Sequence, residues 1–350
     1  MAKEYGRRWV VVESLGEGGQ AHIFRVRDKS DASGKEYALK RLKNDARIAR
    51  FGREIDAIKS LDHPGIVRIE DYSLELPEPF YVMELALGGS LEGRLPGYKG
   101  FLEDSLRLLA LICDAVAAAH GAGIIHRDLK PGNILFRTHM DPRPVVADFG
   151  LCWLEDGKRF TASEEAVGSR HFTAPELESG RAESVTPAAD IYSLGKLLYY
   201  IITGGRLLPR EDLKVPGYDL LTESAKWNLS TAKRAQMEYA MQLLDRMVKR
   251  DPLERAQSIA ELRKTLDGVL EQVSGGFYPL SEDMPCKFCG AGRYRQHSPR
   301  DESFALSTNT RNFPEIRVRV LECDSCGHTQ FFSPYKFPVR MDPGKADVFH

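Results

Sequence analysis

Residues 126 to 133 read His-Arg-Asp-Leu-Lys-Pro-Gly-Asn. One short loop therefore holds a carboxylate, two cations and an amide. Asp128 can accept a proton from an attacking hydroxyl, or orient it. Lys130 can neutralise charge on a phosphoryl group in flight, and Asn133 offers a hard oxygen ligand for Mg²⁺. Twelve residues on, Val145-Val146-Ala147 reads as an apolar strand ending in Asp148. That carboxylate would hold a Mg²⁺ that bridges phosphates. The set suits phosphoryl transfer, which is mostly positioning plus electrostatic stabilisation.

Two upstream features fit a polyphosphate. Leu15-Gly16-Glu17-Gly18-Gly19-Gln20-Ala21 lies between two expected strands. Glycines there let backbone amides approach phosphate oxygens closely. Lys40 closes the run Tyr37-Ala38-Leu39-Lys40 on the next strand. A half-buried strand lysine costs desolvation unless it is paired. Phosphates and the carboxylate of Glu54, in the following helix, are its expected partners.

Near the C-terminus stand Cys286-Lys287-Phe288-Cys289-Gly290 and Cys323-Asp324-Ser325-Cys326-Gly327. Each C-x-x-C-G turn aims two thiolates at one spot, and four thiolates suit tetrahedral Zn²⁺ in a closed, structural site. Disulfides or a redox pair are the rival readings. The module resembles a zinc ribbon, placed at residues 277–350. Its expected use is docking or recruiting a protein partner. Nucleic-acid contact is the less favoured alternative, through Lys287, Arg293, Arg295, Arg300, Arg311, Arg317 and Arg319 with Tyr294 and Phe313 nearby.

The elements that must position these residues follow from periodicity. Trp9 to Leu15, Ala21 to Arg27, Glu36 to Leu42 and Phe80 to Met83 are β-rich runs separated by turn residues. From Ile48 to Leu61, apolar residues recur at Phe51, Ile55, Ile58 and Leu61, which predicts a helix stopped by Pro64 and Gly65. Beyond about residue 100 the pattern is helical, over Leu102 to Gly121, Asp190 to Thr203, Ala232 to Arg250 and Ile259 to Val273. Ser274-Gly275-Gly276 reads as a linker, and strand-like alternation returns at Ile316 to Leu321.

Composition sets outer bounds. Of 350 residues, 42% are hydrophobic, and 49 Lys+Arg nearly cancel 50 Asp+Glu. A folded chain without a global field for nucleic acid or an acidic membrane is implied. The apolar run at the N-terminus is too short for a signal peptide, and Asp114 breaks the run Leu108 to Ala119. The expectation is a cytoplasmic protein with no membrane partner.

On these motifs, over roughly residues 9–270, the chain resembles the eukaryotic-like serine/threonine protein kinases. The resemblance implies an α+β, bilobal kinase fold over 9–272, with a β-rich lobe over about 9–86 and a helical lobe over about 87–272. It implies ATP and Mg²⁺ as cofactors and protein Ser/Thr hydroxyls as acceptors. Gly16 and Gly18 match the glycine-rich loop, Lys40 the ATP-binding lysine and Glu54 its helix partner. Asp128, Lys130, Asn133 and Asp148 match the catalytic and metal-binding positions. Ile23, Ala38 and Leu135 would sandwich adenine. Met83 would stand at the back of that pocket, with Glu84 and Ala86 offering backbone groups to the ring. Ala174-Pro175-Glu176 matches the end of the activation segment, Asp190 the residue that braces the catalytic loop, and Arg255 the partner of Glu176.

Ala21 replaces the third glycine of the loop, a modest change. Lys130 and Gly168-Ser169 favour serine/threonine over tyrosine as acceptor. Arg127 is expected to meet a phosphate on the activation segment, with Thr161 or Ser163 as autophosphorylation sites. Glu164 and Glu165 offer built-in carboxylates instead. The alternative function is a catalytically weak kinase-fold scaffold whose zinc ribbon binds a protein or nucleic acid. A small-molecule phosphotransferase is a third possibility.

Overall fold

The computed structural model describes residues 3–17, 21–99, 101–149, 170–178, 185–208, 231–274, 294–296, 303–307, 315–323 and 329–332. Two compact units are distinguished, Met1–Gly217 with Leu244–Lys264, and Tyr218–Leu243 with Thr265–His350.

In the first unit, six strands form an antiparallel sheet: β1 (Glu4–Tyr5), β2 (Trp9–Glu17), β3 (Ala21–Asp28), β4 (Glu36–Leu42), β5 (Ile69–Ser73) and β6 (Phe80–Glu84), in the order β1-β2-β3-β4-β6-β5. Tyr5, Trp9, Val26, Leu39, Phe80 and Val82 form its apolar core. The sheet is curled. Trp9 on β2 donates from Nε1 to Asp71 on β5 at 2.7 Å, although three strands separate β2 from β5 in the order. Lys3 likewise reaches Glu78 at 2.8 Å.

Helix α1 (Ile48–Lys59) crosses from β4 toward β5. Phe51, Ile55 and Ile58 form its buried stripe, and Glu54 lies on the same side, itself buried. The periodicity that makes the helix amphipathic thus also carries this one carboxylate inward.

Below the sheet, a short helix α2 (Leu91–Arg94) precedes the long α3 (Leu102–Gly121). The hairpin of β7 (Ile134–Phe136) and β8 (Pro144–Val146) follows, with Ile134 opposite Val146. Helix α4 (Pro175–Glu178) and the almost wholly buried α5 (Ala188–Thr203) complete this part. Helix α5 ends where Gly204 takes a left-handed conformation, φ 69°, which favours glycine at a helix C-terminus. Inside α5, a Cβ on Gly195 would come within 2.5 Å of Val248, so glycine is what lets these segments touch.

Two more helices follow, α6 (Thr231–Met247) and α7 (Ile259–Ser274). In the second unit, β9 (Tyr294–Gln296), β10 (Ser303–Ser307), β11 (Glu315–Cys323) and β12 (Thr329–Phe332) form an antiparallel sheet around the central β11. Both β9 and β10 pair with one edge of β11, at its end and start respectively.

Candidate active site

Lys40, near the end of β4, lies opposite Tyr81 of β6, which turns its side chain into the interior. Its Nζ donates to Glu54 Oε1 at 2.9 Å and to Asp148 Oδ1 at 2.9 Å. Residues 108 positions apart in the chain therefore meet on one ammonium. Burial works against the Lys40 charge, but Asp148 and Glu54 outweigh it and hold the group well above its ordinary value. Burial alone would raise Asp148, yet Lys40 keeps its carboxyl below the usual carboxylate range. The cation and the carboxylate thus secure each other's ionised forms.

The loop 126–133 is built from below by Asp190, near the start of α5. Its carboxylate accepts the backbone N–H groups of His126 and Arg127, each at 2.8 Å, and pairs with His120 Nε2 at 2.7 Å. Arg127 there has φ 68°, a conformation that residues with a Cβ rarely adopt, and the Asp190 carboxylate holds it. His126 Nε2 bonds the Ala147 carbonyl at 3.1 Å, and its ring packs 4.6 Å from that of Phe149. One buried side chain thereby registers the catalytic loop against the residues on either side of Asp148.

Burial pushes the His126 imidazole below its ordinary value near 6.5, outweighing the opposing carboxylates of Asp190 and Asp128. An unfolded chain takes up this proton before the folded one does. The His126 contribution to stability is therefore complete above about pH 6.5 and shrinks as pH falls toward the lower folded-state value. Urea midpoints taken from about pH 7.5 to about pH 5 should fall in the wild type and fall less in His126→Gln. Equal slopes would remove His126 as the cause.

Above Asp190, Lys130 Nζ donates to Asp128 Oδ2 at 2.8 Å. Asn133 Nδ2 donates to the Asp128 carbonyl at 2.8 Å and to its Oδ2 at 3.0 Å. Since the Asn133 nitrogen is committed to Asp128, its oxygen is left as the acceptor. Asp148 Oδ2 accepts no hydrogen bond among the described residues. Two hard oxygens on neighbouring segments suit Mg²⁺, so these residues fit the expected ion.

The residues expected around adenine also gather. Ile23 pairs with Lys40 across β3 and β4, and Ala38 pairs with Met83 across β4 and β6. Ala38 and Met83 are buried. A bridge between Ser90 and Leu135 sets β7 beside the segment that follows Glu84. Ala86 N–H has no hydrogen-bond partner among the described residues, while its carbonyl accepts from Gly89 N–H at 3.1 Å. Gly16 pairs with Ile23 next to a bulge in β2, and Gly18 lies outside the described residues.

Arg255 and Glu176 meet as expected, in a bidentate pair of 2.6 and 2.9 Å. Thr161, Ser163 and Ser169 fall outside the described residues, as do Cys286, Cys289 and Cys326. Cys323 is the last residue of β11. No group of three or more His, Cys, Asp or Glu side chains able to hold a metal occurs among the described residues.

Sequence reasoning missed three contributors. Tyr81 puts its hydroxyl 3.0 Å from Glu54 and 3.2 Å from Asp148. Arg137 grips the Glu84 carboxylate with two bonds of 2.7 and 2.9 Å. His120 shares Asp190. The apolar run Phe80 to Met83 marks Tyr81 as a core residue but gives no hint of what its hydroxyl meets.

A curled antiparallel sheet over a helical half, with lysine, two aspartates and an asparagine converging between them, defines the protein kinase fold. Residues 9–265 match the protein kinase domain family, and the chain belongs to it. Within that family, its catalytic domain is of the ATP-dependent serine/threonine class. The relatives include the serine/threonine-protein kinase PkaA of Streptomyces coelicolor, 36% identical over 215 residues, which covers 57% of this chain and 39% of PkaA. PrkC of Bacillus subtilis is 34% identical over 211 residues, covering 58% of this chain and 32% of PrkC. This chain thus spans about two-fifths and one-third of the lengths of these relatives. Among solved structures, the PknI kinase domain of Mycobacterium tuberculosis matches with a TM-score of 0.54 at 22% identity, covering 77% of this chain and 99% of that one. That likeness speaks to the fold alone.

Proposed function

We propose that the whole protein transfers the γ-phosphoryl group of ATP to serine and threonine hydroxyls of a protein substrate. The observation that carries the reading is the convergence of Lys40, Glu54 and Asp148, with Asp128 and Asn133 held beside them. Lys40 is assigned to the nucleotide phosphates. Gly16, Gly18, Ile23, Ala38, Met83, Glu84, Ala86 and Leu135 are assigned to the nucleotide pocket. Asn133 and Asp148 would hold Mg²⁺, which neutralises phosphate charge when bound. Asp128 takes the acceptor's proton, and Lys130 offsets negative charge on the moving group. The test is transfer of label from γ-labelled ATP to a generic protein acceptor, followed by phosphoamino-acid analysis. Label on serine or threonine supports the reading. Label on tyrosine alone, or none with Mg²⁺ present, would end it.

The C-terminal unit is read as a Zn²⁺ ribbon that docks a protein partner. Support comes from strand register. Tyr294 of β9 lies opposite Cys323 at the end of β11, and Glu322 lies opposite Thr329, with Cys326 between them in sequence. Cys289 precedes Tyr294 by only five residues. In sequence, the first C-x-x-C pair thus leads into β9 and the second begins at the last residue of β11. Elemental analysis of freshly purified full chain should give about one Zn²⁺ per molecule, and a value near zero would refute the site. Nucleic-acid binding remains the second reading of this unit, carried by Lys287, Arg293, Arg295, Arg300, Arg311, Arg317 and Arg319 in its sequence.

Autophosphorylation at Thr161 or Ser163 completes the proposal, with Arg127 as the receiving cation. No described helix is long and apolar enough to cross a membrane, and a cytoplasmic site of action is part of the proposal.

A further inference from the structure

Tyr81 stands on β6 directly opposite Lys40 on β4. Its side chain is fully buried, and its ring stacks on Phe51 of α1 with centroids 5.3 Å apart. Its hydroxyl reaches Glu54 Oε1 at 3.0 Å and Asp148 Oδ1 at 3.2 Å, the same two oxygens that Lys40 holds. Burial, together with the carboxylate of Glu54, keeps that hydroxyl protonated and so able to donate. Ammonium, phenol and two carboxylates form one polar group where β4, β6, α1 and the segment after β8 meet, with the Asp148 side chain partly open to solvent.

We propose that Tyr81 is a positioning residue for the metal-binding carboxylate: with Lys40 it clamps Asp148 Oδ1, which leaves Oδ2 presented to a divalent cation. The proposal rests on the kinase reading above and assigns a role within it. A carboxylate held through a single donor can swing about its Cβ–Cγ bond. Donors from two different strands on the same oxygen fix the plane of the group. Partners of this kind, bonded to a metal ligand rather than to the metal, typically set affinity by about 10–100-fold. Tyr81 also ties the clamp to α1, through the ring of Phe51 and the carboxylate of Glu54. The metal carboxylate and the helix therefore share one hydroxyl.

The test uses the full chain with Tyr81→Phe, which keeps the ring and removes only the hydroxyl. Mn²⁺ is the probe, titrated by electron paramagnetic resonance in the presence of ADP. The expected result is roughly 10-fold or greater weakening of Mn²⁺ binding. ADP binding without metal should change little, and the Mg²⁺ needed for half-maximal transfer should rise in step. Phe51→Leu serves as the second variant, since it loosens the same packing and keeps the phenol. If Phe51→Leu, at a comparable loss of melting temperature, weakens Mn²⁺ as much as Tyr81→Phe does, packing explains the effect and the clamp is overturned. Unchanged Mn²⁺ affinity in Tyr81→Phe overturns it as well. A wild type that binds Mn²⁺ but transfers no phosphoryl group overturns the kinase reading and leaves the clamp standing.

Discussion

Asp128→Asn is expected to lower the rate of phosphoryl transfer by about 10²–10⁴-fold, the range supplied by a positioned general base. Asp128 Oδ2 is held by Lys130 Nζ at 2.8 Å and by Asn133 Nδ2 at 3.0 Å, so the carboxylate is fixed in place. An amide of the same shape keeps the outline of the site but cannot take a proton from an incoming hydroxyl. It also sets one amide against the amide of Asn133. Nucleotide binding should survive, because Lys40, Glu54 and Asp148 hold one another without help from Asp128. The checks are kcat by label transfer and nucleotide binding by thermal shift. A kcat within about twofold of wild type would remove Asp128 from the mechanism.

The largest effect on stability is expected at Arg255. Its side chain has no solvent exposure, and an arginine carries five N–H donors. All five are used. Nε donates to the Lys249 carbonyl at 2.8 Å. One terminal nitrogen donates to Glu176 Oε1 at 2.6 Å and the Ala188 carbonyl at 3.0 Å. The other donates to Glu176 Oε2 at 2.9 Å and the Arg250 carbonyl at 3.1 Å. The guanidinium also lies 4.8 Å from the ring centroid of Tyr192. Arg255→Ala strips several buried acceptors at once and leaves the Glu176 carboxylate without this partner, at a cost of about 3–5 kcal/mol. In a catalytic domain of this size that corresponds to a loss of roughly 6–9 °C in melting temperature. Arg255→Lys should rescue little, because a compact ammonium with three donors cannot span these partners. A shift below about 2 °C for Arg255→Ala would show that the network carries little of the fold's stability.

How far the sequence alone reaches differs from residue to residue. Asp128, Lys130 and Asn133 declare themselves because their chemistry is packed into one short loop. Lys40 and Glu54 are harder, being 14 positions apart in different element types. They become legible because a strand lysine needs a partner and the stripe of Phe51, Ile55 and Ile58 orients the helix. The long helices follow for the same reason: their period repeats often enough to outweigh single exceptions. Strand β5 is not legible in the sequence, because Glu70 and Asp71 interrupt the apolar pattern. Its value to the fold lies in a distant bond, Asp71 to Trp9, which a local pattern cannot express. Helix α2 is too short to show a period. Tyr81 is the clearest case. On strand β6 it reads as one more apolar core residue, and only the closure of the sheet over α1 brings its hydroxyl to two carboxylates.

The account stands on Lys40, Asp128, Asn133 and Asp148 gathering around one magnesium nucleotide. A crystal structure of the full chain with Mg²⁺ and a non-hydrolysable ATP analogue tests this most directly. The account predicts a metal about 2.0–2.1 Å from an oxygen of Asn133 and of Asp148. It also predicts Lys40 Nζ within hydrogen-bond reach of a phosphate oxygen, at about 2.7–2.9 Å. Nucleotide bound away from these four residues, or no nucleotide bound at saturating concentration, would contradict it.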